Sequence, residues 1–125
     1  MPKVLVVDDS AVMRKIIKKN IADSGMVVSD YIDAGDGKQA LDAVSKNDID
    51  LILCDWNMPN MSGIEFVKTL RSLNLPKKIP VIMITTEGSD AKVNEAKESG
   101  ADGYLTKPFT PGQIRDTLGN YILVS

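Results

Sequence analysis

Two short apolar runs in this chain end on carboxylates. Residues 4–7 (VLVV) run straight into Asp8 and Asp9, and residues 51–54, within LILCDWNMPNMSG, run into Asp55. Two further apolar runs end on other polar groups. Ile84 is followed by the hydroxyls of Thr85 and Thr86, and Tyr104 and Leu105 are followed by Thr106, Lys107 and Pro108. Unit charges about 5 Å apart repel by roughly 3 kcal/mol at an effective dielectric of ~20. Three converging aspartates therefore require a proton or a cation. A hard divalent ion answers the need: magnesium takes oxygen ligands and usually keeps waters, so two or three carboxylates with a backbone carbonyl suit it. Zinc has almost nothing to bind in a sequence with no histidine and one cysteine.

Each of these residues also has an ordinary reading. A DD pair after an apolar run fits a turn in which Asp9 or Ser10 caps a helix. Asp55 alone fits a loop carboxylate, Thr85 a capped strand end, Tyr104 a half-buried strand residue and Lys107 a surface lysine. Cys54 reads as a buried strand thiol. The chemical reading rests on four strand ends carrying complementary groups.

The elements that must position them follow from periodicity. Strands are expected at residues 4–7, 27–32, 51–54 and 81–84 and around Tyr104 and Leu105. A first helix puts Met13, Ile16, Ile17 and Ile21 on one face, with Arg14, Lys15, Lys18 and Lys19 largely on the other. Leu41 and Val44 mark a second, and residues 62–72 a third with Phe66, Val67 and Leu70. A last helix carries Ile114, Leu118, Tyr121 and Ile122 and has Pro111 in its first turn. Residues 89–99 also look helical but offer little beyond Ala91, Val93 and Ala96 to bury, so that helix should be loosely held. Gly119 is expected to weaken the middle of the last helix.

Strands alternating with helices imply an α/β fold: a doubly wound, five-stranded parallel sheet covered on both faces. In such sheets a site forms at the carboxyl ends of the strands where the strand order reverses. If the order is 2-1-3-4-5, the strands ending on Asp8 and Asp55 are neighbours there. Length (125 residues) and apolar content (43%) fit one domain over residues 1–125. The net charge of -2 and the scattered basic residues argue against nucleic-acid binding. No signal segment precedes Val4 and no apolar run nears the ~18 residues of a membrane span, so a soluble, cytoplasmic protein is expected, without a membrane partner.

Together, DDS at residues 8–10, DWNMPNMSG at 55–63, PVIMITTEG at 80–88 and GYLTKPFT at 103–110 resemble the receiver domain of two-component response regulators, and most of all the single-domain chemotaxis regulators. The match runs from about Lys3 to Ile122. The resemblance implies the flavodoxin-like order 2-1-3-4-5, of which this family is an established example. It implies that Asp55 accepts a phosphoryl group from a sensor histidine kinase, with Asp9 binding Mg2+ directly, Asp8 mainly through water, and the Asn57 carbonyl and Asp55 completing the protein ligands. Lys107, before a cis Pro108, would be aimed at the phosphoacceptor, Thr85 would be the switch hydroxyl and Tyr104 the rotating aromatic. Asn57 and Glu87, with Thr86 beside them, would tune the lifetime of the phosphoryl group, and this pair implies a short one. The implied output is altered affinity for a protein partner, the flagellar motor switch protein, through the face of the fourth helix, fifth strand and fifth helix. A phosphatase partner and a monomeric state are also implied, and no enzymatic activity beyond self-catalysed phosphoryl transfer and dephosphorylation. A phosphorelay carrier or a non-motor receiver would share all this chemistry. A magnesium-dependent small-molecule phosphatase would need a substrate cap, for which there is no insertion. A flavin-binding module would need a phosphate-cradling loop that DDSAV does not supply.

Overall fold

The computed structural model describes residues 2–58, 60–76, 78–86, 89–107 and 109–121. Strands and helices alternate: β1 Lys3–Val7, α1 Ala11–Asp23, β2 Asp30–Ala34, α2 Gly37–Lys46, β3 Leu51–Asp55, α3 Gly63–Ser72, β4 Val81–Thr85, α4 Asp90–Ser99, β5 Gly103–Thr106 and α5 Pro111–Leu118. All strand pairs are parallel, in the order β2-β1-β3-β4-β5.

Alternation along the strands builds two cores, one on each face of the sheet. Leu5, Val7, Ile52, Cys54, Val81 and Met83 meet Ala40 and Val44 of α2, Phe66, Val67 and Leu70 of α3, and Ala96 of α4. Val4, Val6, Leu51, Leu53, Ile82 and Ile84 meet Ile17 and Ile21 of α1 and Ile114 and Leu118 of α5. The central strands are buried on both sides, which explains why they read as unbroken apolar runs.

Three expectations are corrected. The second strand lies at residues 30–34, not 27–32. It pairs only with β1, at the sheet edge, so Asp30 and Asp33 remain exposed, while the apolar Met26 and Val28 precede the strand and pack on the α1 and α5 side. Ile16 is 44% exposed rather than part of the core face. Ile17 and Ile21, four residues apart, take the inward direction, and Ile16 joins Val12 on an outer apolar stripe of α1. Gly119 is not inside α5 but caps its C-terminus after Leu118. Ile122 lies outside the described residues.

Ser10, Asp36, Ser62, Ser89 and Thr110 cap α1 to α5, each side chain accepting a backbone N–H three residues on. At α5 the Gln113 side chain returns the bond, and Pro111 occupies the first turn. Among the described residues no helix is long and apolar enough to cross a membrane.

Candidate metal and phosphoryl centre

The register of β1 on β3 pairs Val4 with Leu51 and Val7 with Cys54, so one residue further on Asp8 stands beside Asp55. Asp8 stays in line because its N–H donates to the Ala34 carbonyl at 3.1 Å. The Arg14 guanidinium, which also reaches Asp33, donates to the Asp8 carbonyl from below. Asp9 then turns out to solvent. Ser10, rather than Asp9, caps α1, and its N–H donates to Asp8 Oδ1 at 2.9 Å.

Asp55 ends β3, and the next residue, Trp56, donates its N–H to the Ile84 carbonyl at 3.0 Å. The loop that follows closes on itself where Gly63 N–H donates to the Trp56 carbonyl at 2.8 Å. Only a residue without Cβ fits there: an added Cβ would lie 2.4 Å from the Asp55 carbonyl oxygen and 3.0 Å from Trp56 Cα. Asn60 takes the left-handed conformation in this loop (φ 68°), and its side chain donates to Asp36.

The structure brings the three aspartates together: one carboxylate oxygen from each lies within 4.8 Å of the others. Asp8 and Asp55 are buried and Asp9 is exposed. Lys107, just after β5, sets its Nζ 3.2 Å from Asp55 Oδ1 and 3.6 Å from Asp8 Oδ2. Its N–H donates to the Thr85 carbonyl at 2.7 Å, which ties the end of β5 to that of β4. Burial raises the pKa of Asp8, opposed by the Ser10 N–H and Lys107. Burial also raises that of Asp55, helped by the neighbouring Asp8 charge and opposed by Lys107. Cys54, buried behind them, has its thiol pushed far up by burial and then by the same two carboxylates, so it stays an inert SH.

Three carboxylates against one ammonium leave the centre with two uncompensated negative charges. Asp8 Oδ2 is buried and accepts no hydrogen bond. An orphaned carboxylate oxygen, excess negative charge and an all-oxygen donor set fit a hard divalent cation. Asp8, Asp9 and Asp55 are the side chains able to hold it, and Asn57 is exposed on the loop just beyond.

Thr85 is buried at the end of β4, and Thr86 is exposed beside it. Tyr104 is half-buried on β5 opposite Met83, packs against the core beneath α2, α3 and α4, and borders a cleft lined also by Thr106, Gln113 and Thr117. Glu87 and Pro108, given roles in tuning and in the turn before α5, lie outside the described residues. Two contacts near the centre were not foreseen from sequence. Arg14 holds the Asp8 backbone, and Lys92 of α4 places its ammonium 4.6 Å from the centre of the Trp56 ring. Basic residues on amphipathic helices carry no signal that separates such contacts from solvated charge.

Comparison with known proteins agrees with this geometry. A family described as the response regulator receiver domain matches residues 4–119. The chain is 43% identical over 117 residues to the "Chemotaxis protein CheY homolog" of Campylobacter jejuni, covering 93% of this chain and 88% of that one. It is 44% identical over 117 residues to "Chemotaxis protein CheY1" of Helicobacter pylori strain J99, covering 93% of each. The crystallised chemotaxis response regulator CheY4 of Vibrio cholerae superposes with a TM-score of 0.85 at 41% identity, covering 97% of this chain and 98% of that one. A reversal point that gathers three aspartates under a lysine, within a sequence matched almost end to end, places this chain in the response regulator receiver family.

Proposed function

We propose that the protein is a phosphorylation-activated chemotaxis regulator whose Asp55 takes a phosphoryl group from the phosphohistidine of a sensor histidine kinase. The observation that carries this reading is the arrangement of Asp55. Its carboxylate is buried beside Asp8, with the Lys107 ammonium 3.2 Å from one oxygen and an exposed third carboxylate, Asp9, at the mouth. In the transfer a carboxylate oxygen of Asp55 forms a bond to phosphorus, the phosphorus–nitrogen bond of phosphohistidine breaks, and imidazole leaves with its electron pair. Mg2+, when bound there, would supply charge neutralisation for the incoming phosphoryl group. Asp9, Asp55 and the Asn57 carbonyl would hold that ion directly, and Asp8 mainly through water. Lys107 balances the charge that grows on the phosphoryl group, and Thr85 offers the hydroxyl that turns toward it. Asn57 and Thr86, exposed two residues beyond Asp55 and one beyond Thr85, set the lifetime of the phosphoryl group together with Glu87, which follows Thr86 in sequence.

The output is a surface. Movement of Thr85 toward the phosphoryl group frees space at the end of β4 for the ring of Tyr104, and the α4-β5-α5 face changes its affinity for a protein partner, the flagellar motor switch. Such a switch needs only a shift of a few kcal/mol between two states. The protein acts as a signal in the cytoplasm rather than as an enzyme with a separate substrate.

The test is Asp55→Asn. Magnesium-dependent labelling by acetyl phosphate should be stoichiometric in the wild type and absent in the variant, with the circular dichroism spectrum unchanged. Stoichiometric labelling of another residue in the variant would defeat the assignment. Steady hydrolysis of a small phosphoester by the wild type would favour a phosphatase. Normal labelling, with no binding of a motor-switch peptide by either form, would transfer the output to a non-motor partner.

A further inference from the structure

α4 is the least anchored helix of the fold at one end and tightly held at the other. Of its residues only Ala96 and Ser99, both toward the C-terminus, are buried. That end is clamped by Arg71 of α3, whose Nε donates to the Gly100 carbonyl at 3.0 Å, Nη1 to the Ile79 carbonyl at 2.8 Å and Nη2 to Asp102 Oδ2 at 2.8 Å. Gly100 closes the helix in the left-handed conformation against the Arg71 stem (φ 111°). Among the described residues the first turn has no comparable anchor. Its Ala91 is exposed, its Val93 half-buried, and its notable contact with the body of the protein is the Lys92 ammonium over the Trp56 ring. Trp56 is itself buried, hydrogen-bonded through its backbone to β4, and covalently next to Asp55.

We infer that Lys92 is a positioning residue: its cation–π contact with Trp56 latches the first turn of α4 to the Asp55 strand end and transmits the state of that centre to the helix. The contact is electrostatic, so it depends on both the place of the ring and the local charge. Displacement of Trp56, or anionic oxygens arriving beside Asp55 and competing for the ammonium, loosens it. The helix then moves about its Arg71 clamp. The coupling to phosphorylation rests on the function proposed above. The latch itself does not.

Hydrogen exchange of the 125-residue chain separates the two. In metal-free protein Lys92→Met keeps the alkyl stem but removes the cation, and exchange of the amides of residues 93–96 should quicken by about threefold, while α3 amides stay unchanged. Lys92→Arg should restore wild-type rates, which a merely structural stem would not require. Equal rates in wild type and Lys92→Met would overturn the latch. In a second arm Mg2+ with beryllofluoride, a phosphoryl mimic, should quicken the same amides in the wild type and leave them nearly unmoved in Lys92→Met, although Trp56 fluorescence still saturates. An equal response of the helix in both proteins would overturn the coupling. A wild type whose Trp56 ignores beryllofluoride would count against the Asp55 centre, with the metal-free arm still judging the latch.

Discussion

Lys107 is the cation that stands against both buried carboxylates, and its removal exposes how they share charge. Its ammonium lowers the pKa of Asp8 and Asp55, partly offsetting a rise caused first by burial. For a carboxyl whose pKa is higher folded than unfolded, the native state binds the proton more tightly. Stability then falls as pH rises from the ordinary carboxylate range through the folded value, and the penalty is complete above it. Lys107→Met should deepen that penalty. We expect its melting temperature to lie below that of the wild type at pH 7 and to converge on it as pH falls and both carboxyls take up their protons. Acetyl phosphate labelling should fall about 100-fold, the scale for losing one charge-stabilising group. A pH-independent difference in melting temperature would refute this account of Lys107. The gathering of Asp8, Asp9, Asp55 and Lys107 was legible because they end apolar runs, and a parallel sheet brings strand ends together. Arg14 and Lys92 were not, since where a long basic side chain on a helix surface comes to rest is decided by neighbours distant in sequence.

At the level of elements, the β3–α3 connection is the part of the site with least freedom. Gly63 opens α3 immediately against the Asp55 carbonyl, and a Cβ at that position would meet backbone atoms that cannot swing aside, as well as Met83 Cε at 2.7 Å. Gly63→Ala should therefore push α3 away from the end of β3, at a cost of about 2 kcal/mol. It should also weaken Mg2+ binding by shifting Asp55, read as a higher midpoint in a Trp56 fluorescence titration. An unchanged midpoint, together with unchanged stability, would show that the helix start is more pliable than its contacts suggest. Gly112, by contrast, has open space around it apart from the Thr110 hydroxyl at 3.7 Å, and serves as an internal control in α5. The existence of the alternating elements followed from their apolar periods, the sheet order 2-1-3-4-5 from the family resemblance, and the weak packing of α4 from its lack of apolar residues. What periodicity could not resolve was the use of apolar residues that do not join the main faces. Met26 and Val28 close the core below an edge strand whose pairing is set by β1, and Ile16 forms a surface stripe with Val12.

Across the whole molecule, polar groups are unequally satisfied at the two ends of the sheet. At the amino ends of the strands Asp102 is met by Arg71 at 2.8 Å, Lys78 at 3.3 Å and the Val81 N–H at 3.0 Å, and Asp50 accepts the Lys3 N–H. At the carboxyl ends Asp8 Oδ2 accepts no hydrogen bond, and three carboxylates share the ammonium of Lys107, 3.6 Å from that oxygen. A fold that tolerates unfavourable charge where its chemistry lies should gain stability when that charge is removed. In metal-free protein at pH 7, Asp8→Asn should therefore melt higher than the wild type, by about 4 °C if the relief is ~1 kcal/mol in a domain of this size. Because the folded pKa of Asp8 is raised, the advantage should shrink as pH falls and the wild-type carboxyl takes up its proton. Mg2+ should reverse the ranking. At about ten times its dissociation constant a ligand specific for the folded state adds ~1.4 kcal/mol, or roughly 5 °C, and this increment should belong to the wild type and be largely absent from Asp8→Asn. Differential scanning calorimetry across pH, with and without Mg2+, measures all of it. Equal melting temperatures for the two proteins in every condition would mean that the buried carboxylate is already neutralised within the chain, and that the centre has no need of a cation.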